Sequence, residues 1–339
     1  MTRPRVLLLC GGQSEEHEVS LSSACSVMAA AGDRFDITSM VIDRAGRLLS
    51  PEASLQTLGN PAAPTSGETR QVQHLPRERF DVVFPLLHGP LGEDGSVQGL
   101  LKLMGLPFVG SDVLGSAVGM DKLIMKAVFA DRGLPQGLYR AVKRRDWHQR
   151  PEGVLDTLEA ALPYPLFVKP ANMGSSVGIG KARNRDELQA ALTEAARHDR
   201  RIIVEAAISG VRELEVGILG NDDPQVSPVG EIRYASDFYD YRSKYEDGQA
   251  ELNIPARIPS GIAERCRELA LAAFEAIDAA GLARVDFFYV EDENRLLINE
   301  INTIPGFTKT SMYPRLWEAA GIGYSELIET LLQLALEPR

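Results

Sequence analysis

The sequence predicts an α/β protein that opens on a mostly parallel sheet and closes on an antiparallel hairpin of charged strands. Residues 6–10 form a short apolar run that ends in Gly11-Gly12 and leads into a helix-like segment through about residue 31. Strand, turn and helix in that order open a βαβ unit. Apolar runs at 35–42 and 81–87 repeat the strand signal, and residues 106–110 close a first α/β unit with a mostly parallel sheet. At the other end, residues 284–290 and 295–299 alternate in polarity around the turn-like Glu291-Asp292-Glu293-Asn294, which pairs them as a hairpin.

Between these ends, residues 50–76 mix several prolines with Ser, Thr and Gly and read as a surface excursion. Asp121 is placed to cap a helix running to Arg132, with Gly133 and Pro135 as the stop. Strands are expected at 166–169, 202–205 and 214–219, and helices at 185–198 and about 260–280. A polar excursion rich in aromatics spans 236–249.

Composition narrows the class. A chain of 339 residues has room for two or three domains. With 44% hydrophobic and 24% charged residues it reads as soluble and able to bury a core. A formal net charge of −11 argues against nucleic acid as a partner, since phosphate backbones favour basic surfaces. It says little about a small anion, which one pocket of Lys, Arg and metal can bind. Cys10, Cys25 and Cys266 are too few and too scattered for a disulfide framework or a CxxC metal site. The first apolar run is too short for a signal-peptide core, and no 18-residue apolar run offers a membrane span. A cytoplasmic enzyme is expected.

The hairpin carries the sharpest chemistry. Residues two apart on a strand share a face, so Arg284 and Asp286 point one way on the first strand, and Glu300 and Asn302 on its partner. Two carboxylates and an amide oxygen are hard ligands of the kind Mg²⁺ takes alongside water and phosphate oxygens. The plainer reading is a solvated strand face, but Phe287, Phe288, Leu296, Leu297 and Ile298 weigh against water on both sides. The Asn302–Thr308 stretch that follows is rich in turn formers, and Gly306 lets a backbone N–H approach a ligand closely.

Lys169, at the end of the 166–169 strand, feeds into Gly174-Ser175-Ser176-Val177-Gly178. This is no Walker A loop, because the lysine precedes the glycines. Such a loop can still cover phosphates with backbone N–H groups, and a plain hairpin reads equally well. Glu205, at a strand end, and Glu213 could meet an adenine amino group or a ribose. In the first unit, the acidic loop Gly11–Ser20 lies where doubly wound sheets bind ligands, and its charge suits an ammonium. An acidic first helical turn explains part of it as well. His88 sits on a second Gly-rich strand-end loop, 88–95, a common place for function.

Five motifs, Gly11-Gly-Gln-Ser-Glu-Glu16-His-Glu-Val-Ser20, His88-Gly-Pro-Leu-Gly-Glu-Asp-Gly95, Lys169-Pro-Ala-Asn-Met-Gly-Ser-Ser-Val-Gly178, Tyr239-Asp-Tyr-Arg-Ser-Lys-Tyr245 and Asn299-Glu-Ile-Asn-Thr-Ile-Pro-Gly306, together resemble the D-alanine–D-alanine ligase family, in family order and over nearly the whole chain. The resemblance implies a three-domain ATP-grasp fold: a Rossmann-like domain at 1–117, a central ATP-grasp subdomain at 118–206 and a C-terminal one at 207–339. It implies ATP and two Mg²⁺ or Mn²⁺ ions as cofactors, two molecules of D-alanine as substrates and a homodimer. One D-alanine carboxylate would take the γ-phosphate, and the amine of the second would displace it, giving the dipeptide for peptidoglycan and ADP.

By the same resemblance, Lys122, Lys169 and Lys244 contact phosphates, with Ser176 in the phosphate loop, and Glu205 and Glu213 contact adenosine. Asp286, Glu300 and Asn302 are the metal ligands. Arg284 and the Gly306 N–H form the oxyanion site, and Glu16 holds the first ammonium near His88. Glu16, Ser175 and Tyr245 form a hydrogen-bonded trio that joins the first domain, the phosphate loop and the mobile loop, and Ser311 and Met312 bind the second carboxylate. Tyr245 favours an amine acceptor; relatives that use D-lactate typically carry His in that role. Another ATP-grasp acceptor is the main alternative. A regulator that only binds nucleotide would not need both metal ligands and an oxyanion cation, and a missing GxGxxG disfavours an NAD-dependent oxidoreductase.

Overall fold

A computed structural model describes residues 3–31, 34–60, 69–174, 178–234 and 250–338. The first sheet has the order β4-β3-β2-β1-β5, built from β1 (Arg5–Gly11), β2 (Asp36–Ile42), β3 (Arg47–Leu49), β4 (Thr69–Gln71) and β5 (Val82–Leu86). β1 lies parallel to β2 and β5, and β3 and β4 add an antiparallel edge. Central β1 is covered on both faces, as a run of consecutive apolar residues requires. Val6, Leu8 and Cys10 join one core cluster, and Leu7 and Leu9 the other. Helix α1 (His17–Ala31) follows β1, as expected.

The described parts of the 50–76 excursion, 50–60 and 69–76, contain regular structure. Ser50 accepts a hydrogen bond from the Ala53 N–H and caps α2 (Pro51–Gly59), so Pro51 occupies the first turn, where its missing N–H has no cost. The excursion returns as edge strand β4, and α3 (Ser96–Leu103) and α4 (Val113–Met120) complete this part of the chain.

Helix α5 (Lys122–Asp131) buries Met125 and Phe129 in the core of the third sheet, while α6 (Arg144–Gln149), α7 (Pro151–Ala161) and α8 (Arg185–His198) accompany a second, antiparallel sheet of order β6-β9-β7-β8. Its strands are β6 (Tyr139–Lys143), β7 (Leu166–Pro170), β8 (Gly180–Ala182) and β9 (Arg201–Ala206). Asp121 caps α5 as expected, accepting from the Leu123 and Ile124 N–H groups, and Gly133 takes the left-handed φ of 68° just beyond its end.

The third sheet is antiparallel throughout, in the order β12-β11-β10-β13-β14: β10 (Val211–Gly220), β11 (Gln225–Tyr234), β12 (Ala250–Asn253), β13 (Gly281–Val290) and β14 (Arg295–Asn302). Helix α9 (Ser260–Ala276) covers one face and stops a turn earlier than the sequence suggests, where Asp278 takes a left-handed φ of 58°. Helix α10 (Met312–Ala319) lies on the other face. Its close seat depends on two glycines: a Cβ at Gly230 would fall 2.8 Å from Met312 Sδ, and one at Gly217 3.1 Å from Trp317 Nε1. Helix α11 (Tyr324–Leu336) then packs Leu327, Ile328 and Leu331 into the core beneath β1, tying the chain's end to its beginning. Among the described residues no helix is long and apolar enough to cross a membrane.

Candidate active site

Register across the third sheet puts the charged residues in rows. Asp286 pairs with Glu300 on β14 and with Glu215 on β10, and Arg284 pairs with Asn302 and Gly217. Three carboxylates therefore stand side by side on adjacent strands, with the guanidinium in the next row. Arg284 donates two hydrogen bonds of 2.7 Å to Asp286 and lies 2.8 Å from Glu215 Oε2, and Asn302 Nδ2 donates to Asp286 at 3.0 Å. Like charges in direct opposition repel, and the arginine offsets that here. The register shifts between Asp286 and Phe287, so Ile298 rather than Asn299 opposes Phe287. This bulge keeps Ile298 in the core while leaving Glu300 and Asn302 on the polar face.

The lysines meet this face from the second sheet and α5. Lys122, the first residue of α5, donates to the Met173 carbonyl at 2.9 Å and lies 3.8 Å from Glu300 Oε2. Lys169 on β7 reaches Glu205 Oε2 at 2.8 Å, and Lys126 reaches Glu205 Oε1 at 3.0 Å. Burial alone would lift the Glu205 carboxyl, but Lys169 and Lys126 outweigh it and bring its pKa down to about 2. Burial would lower Lys169, and the fields of Glu205, Glu300 and Glu213 more than reverse that. Glu213 occupies the same face of β10 as Glu215, two residues away.

The first sheet contributes two loops. Ser14 Oγ donates to the His88 carbonyl at 2.7 Å and accepts from the Glu16 N–H, lacing the two loops together. The buried Glu16 carboxylate lies against two glycines: a Cβ at Gly174 would be 2.5 Å from Glu16 Oε2, and one at Gly89 2.7 Å. His88 is buried and donates through Nδ1 to the Ile304 carbonyl at 3.1 Å, which leaves Nε2 as the lone-pair nitrogen. Burial lowers the His88 pKa despite nearby Glu16. The turn after β14 is held from the same side. Phe307 packs edge-on to Phe84, its carbonyl accepts from Tyr324 Oη at 2.5 Å, and Ser311 Oγ accepts from the Thr308 N–H at 3.1 Å. Gly306 lies beside Ser311, and Met312 is the first residue of α10.

The fold thus brings together Glu16, His88, Lys122, Lys169, Glu205, Glu213, Arg284, Asp286, Glu300 and Asn302, while Gly306 and Ser311 lie in the turn after β14 and Met312 packs its thioether against Gly230. Ser175, Ser176, Lys244 and Tyr245 lie outside the described residues. Three acidic or basic groups of the cluster are not among the residues singled out by sequence. Glu215 follows Glu213 at strand spacing, Lys126 follows Lys122 by one helical turn, and Glu93 sits within the 88–95 loop. Glu93 accepts from the Gly89 N–H at 2.9 Å, and burial together with Glu16 pushes its carboxyl up to about 8.

Two family models match the sequence: the D-ala D-ala ligase N-terminus over residues 5–111 and the D-ala D-ala ligase C-terminus over 128–333. A D-alanine–D-alanine ligase of Deinococcus radiodurans is 57% identical over 337 residues, 99% of each chain. The chain belongs to the D-alanine–D-alanine ligase family.

Solved structures of the family agree in fold. The VanG D-Ala:D-Ser ligase from Enterococcus faecalis superposes with a TM-score of 0.83 at 34% identity, covering 98% of this chain and 100% of that one. The D-alanine–D-alanine ligase from Coxiella burnetii gives 0.83 at 35%, covering 99% and 94%. The mixed α/β architecture is therefore that of the ATP-grasp ligases, as expected from sequence. Membership of an ATP-dependent ligase family implies ATP and a divalent metal. The donors present suit such an ion: Asp286 and Glu300 directly oppose each other beside Asn302, all hard oxygen ligands. Among the described residues no group of three or more His, Cys, Asp and Glu is arranged as a metal cage. A site with few protein ligands fits an ion that takes its remaining oxygens from phosphate and water.

Proposed function

We infer that this chain joins two D-alanines into D-alanyl-D-alanine at the expense of ATP, through an acyl phosphate. The observation that carries the reading is that Lys122 lies 3.8 Å from Glu300, in the row of Arg284, Asp286, Glu300 and Asn302, while Lys169 stands in the field of Glu300. Bringing a carboxylate to a triphosphate concentrates negative charge, so positioned cations should supply most of the rate. Lys122, Lys169 and Lys244 then bind phosphates under the loop that holds Ser176, while Glu205 and Glu213 take the adenosine. Asp286, Glu300 and Asn302 would hold two Mg²⁺ or Mn²⁺ ions, which neutralise phosphate charge when bound.

Glu16 receives the ammonium of the first D-alanine, with the neutral His88 at its side. Ser175 and Tyr245 join Glu16 in a hydrogen-bonded trio. The first carboxylate attacks the γ-phosphate, ADP departs, and the second amine attacks the acyl phosphate. Arg284 and the Gly306 N–H stabilise the oxyanion of the resulting tetrahedral centre, and phosphate leaves. Ser311 and Met312, at the start of α10, hold the second carboxylate, where the positive end of the helix dipole favours an anion. The same reading includes units at 1–117, 118–206 and 207–339, a homodimer and a cytoplasmic enzyme feeding peptidoglycan synthesis.

The equal TM-scores to a D-serine and a D-alanine ligase mean that backbone shape does not choose the acceptor. The 57% identity to a D-alanine–D-alanine ligase supports D-alanine. ADP release measured with D-alanine alone and with D-alanine plus D-serine, D-lactate or L-alanine tests this. D-alanine alone should give the highest rate; faster turnover with any other acceptor would overturn the assignment.

A further inference from the structure

Each carboxylate oxygen of Glu205 is met by a different lysine. Oε2 faces Lys169 at 2.8 Å and Oε1 faces Lys126 at 3.0 Å. The two cations are not equivalent. Lys169 stands on β7, one residue before the strand's end, and keeps 17% of its side chain exposed. Lys126 is enclosed, with 3% exposed. Its Nζ sits 5.6 Å from the centroid of the Tyr139 ring, and its carbonyl accepts from Gln136 Nε2 at 2.9 Å. Tyr139, Glu205 and Phe167 are cross-strand neighbours on β6, β9 and β7, and Lys169 lies over the Phe167 ring. Glu205 therefore stands in a row between two aromatic residues, with Lys126 over the Tyr139 ring and both Lys169 and Lys181 over the Phe167 ring.

Lys169 is engaged by Glu205, and on the proposed reading the same ammonium is also needed by a phosphate. A lysine can leave a buried carboxylate cheaply only if that carboxylate keeps another counter-ion. We propose that Lys126 is a positioning residue for the nucleotide site: it holds the Glu205 carboxylate so that Lys169 can turn to phosphate. This rests on the reading that Lys169 and Glu205 face ATP. Lys126 itself touches neither substrate nor reacting atoms. It follows Lys122 by one turn of α5, so a single helix face carries both the lysine near Glu300 and the lysine that secures Glu205.

The test uses the full-length protein, with ADP release followed as Mg²⁺-ATP and D-alanine are varied separately. Lys126→Met should raise the KM for ATP about tenfold, which corresponds to losing one buried charge contact, and leave the KM for D-alanine near its normal value. It should also shrink the rise in melting temperature that Mg²⁺-ATP produces, a change that a purely structural role would not give. In a Glu205→Gln background there is no carboxylate to hold, so adding Lys126→Met should change the KM for ATP by less than about twofold. That comparison stands even if Lys126→Met alone fails to fold. A tenfold rise within the Glu205→Gln background, or unchanged ATP binding in Lys126→Met, would overturn the proposal. Lys169→Met separates the two ideas: if it raises the KM for ATP and Lys126→Met does not, only the positioning role falls. If Lys169→Met also leaves ATP binding unchanged, the nucleotide-site reading falls with it.

Discussion

Arg284 grips Asp286, two residues further along the same strand, through two hydrogen bonds of 2.7 Å, and lies 2.8 Å from Glu215 on the neighbouring strand. The guanidinium thus offsets two carboxylates before any ligand arrives. On the proposed reading it is pre-positioned for an oxyanion, since it need not reorganise when charge develops there. Arg284→Met should lower kcat by about 10²-fold or more with a smaller effect on the KM for ATP. Single-turnover ADP release would show whether the loss lies in chemistry; a loss confined to KM would count against the oxyanion role.

Glu300 lies directly opposite Asp286 and 3.8 Å from Lys122. Removing its charge while keeping its shape, Glu300→Gln, should reduce kcat at least about 10²-fold. Raising Mg²⁺ should recover part of the activity if the carboxylate holds metal. A near-normal rate at ordinary Mg²⁺ would mean that the metal ligands are misassigned.

Gly174 is required by its neighbour rather than by its own backbone. A Cβ there would press on the Glu16 carboxylate at 2.5 Å. Gly174→Ala is expected to displace Glu16 and raise the KM for D-alanine by about tenfold or more. The melting temperature should change little, because the contact lies in a loop outside the four core clusters. Kinetics with D-alanine varied at saturating ATP would check this.

Glu93 ties stability to pH in the ligand-free protein. Its carboxyl is raised from 4.5 to about 8, chiefly by burial and then by Glu16. The folded state therefore holds a proton that the unfolded state has lost. The stabilisation is complete below the unfolded pKa and disappears as pH rises through the folded one. Thermal melts from about pH 5 to about pH 8 should show Glu93→Gln gaining on the original protein as pH rises, because the amide needs no proton. Parallel curves would show that Glu93 does not titrate in this window.

Asp121 closes α5 twice over: it accepts from two N–H groups of the first turn and pairs with Arg201 on β9. Asp121→Ala removes the cap and leaves a partly buried arginine without this carboxylate. A loss of about 2–4 kcal/mol is expected in denaturant unfolding. Activity should fall with it, since Lys122 is the first residue of the uncapped turn.

Much of this protein was legible in its sequence where signals are local. A run such as Val6–Cys10 cannot face water on either side, so it reads as a buried parallel strand. Asp121 before an apolar helix and Gly133 after it mark both ends. Strand period two places Arg284 with Asp286, and Glu300 with Asn302, before any register is known. Within the 50–76 excursion helix α2 was not legible, because the same residue that marks loops also starts helices, and the Ser50 cap distinguishes the two. The early stop of α9 at Ala276 escaped for a similar reason: Asp278 carries no strong sequence mark of its left-handed turn.

What the sequence determined by itself, then, is which residues bear charge and which face of its own element each one occupies, because side-chain period depends only on the chain's local geometry. Tertiary structure alone decided their partners. That Glu215 stands beside Asp286, that Lys126 rather than solvent meets Glu205, and that Glu93 holds its proton near neutral pH depend on strand register, helix seating and burial. Those are properties of segments distant in the chain, and no short window of sequence contains them.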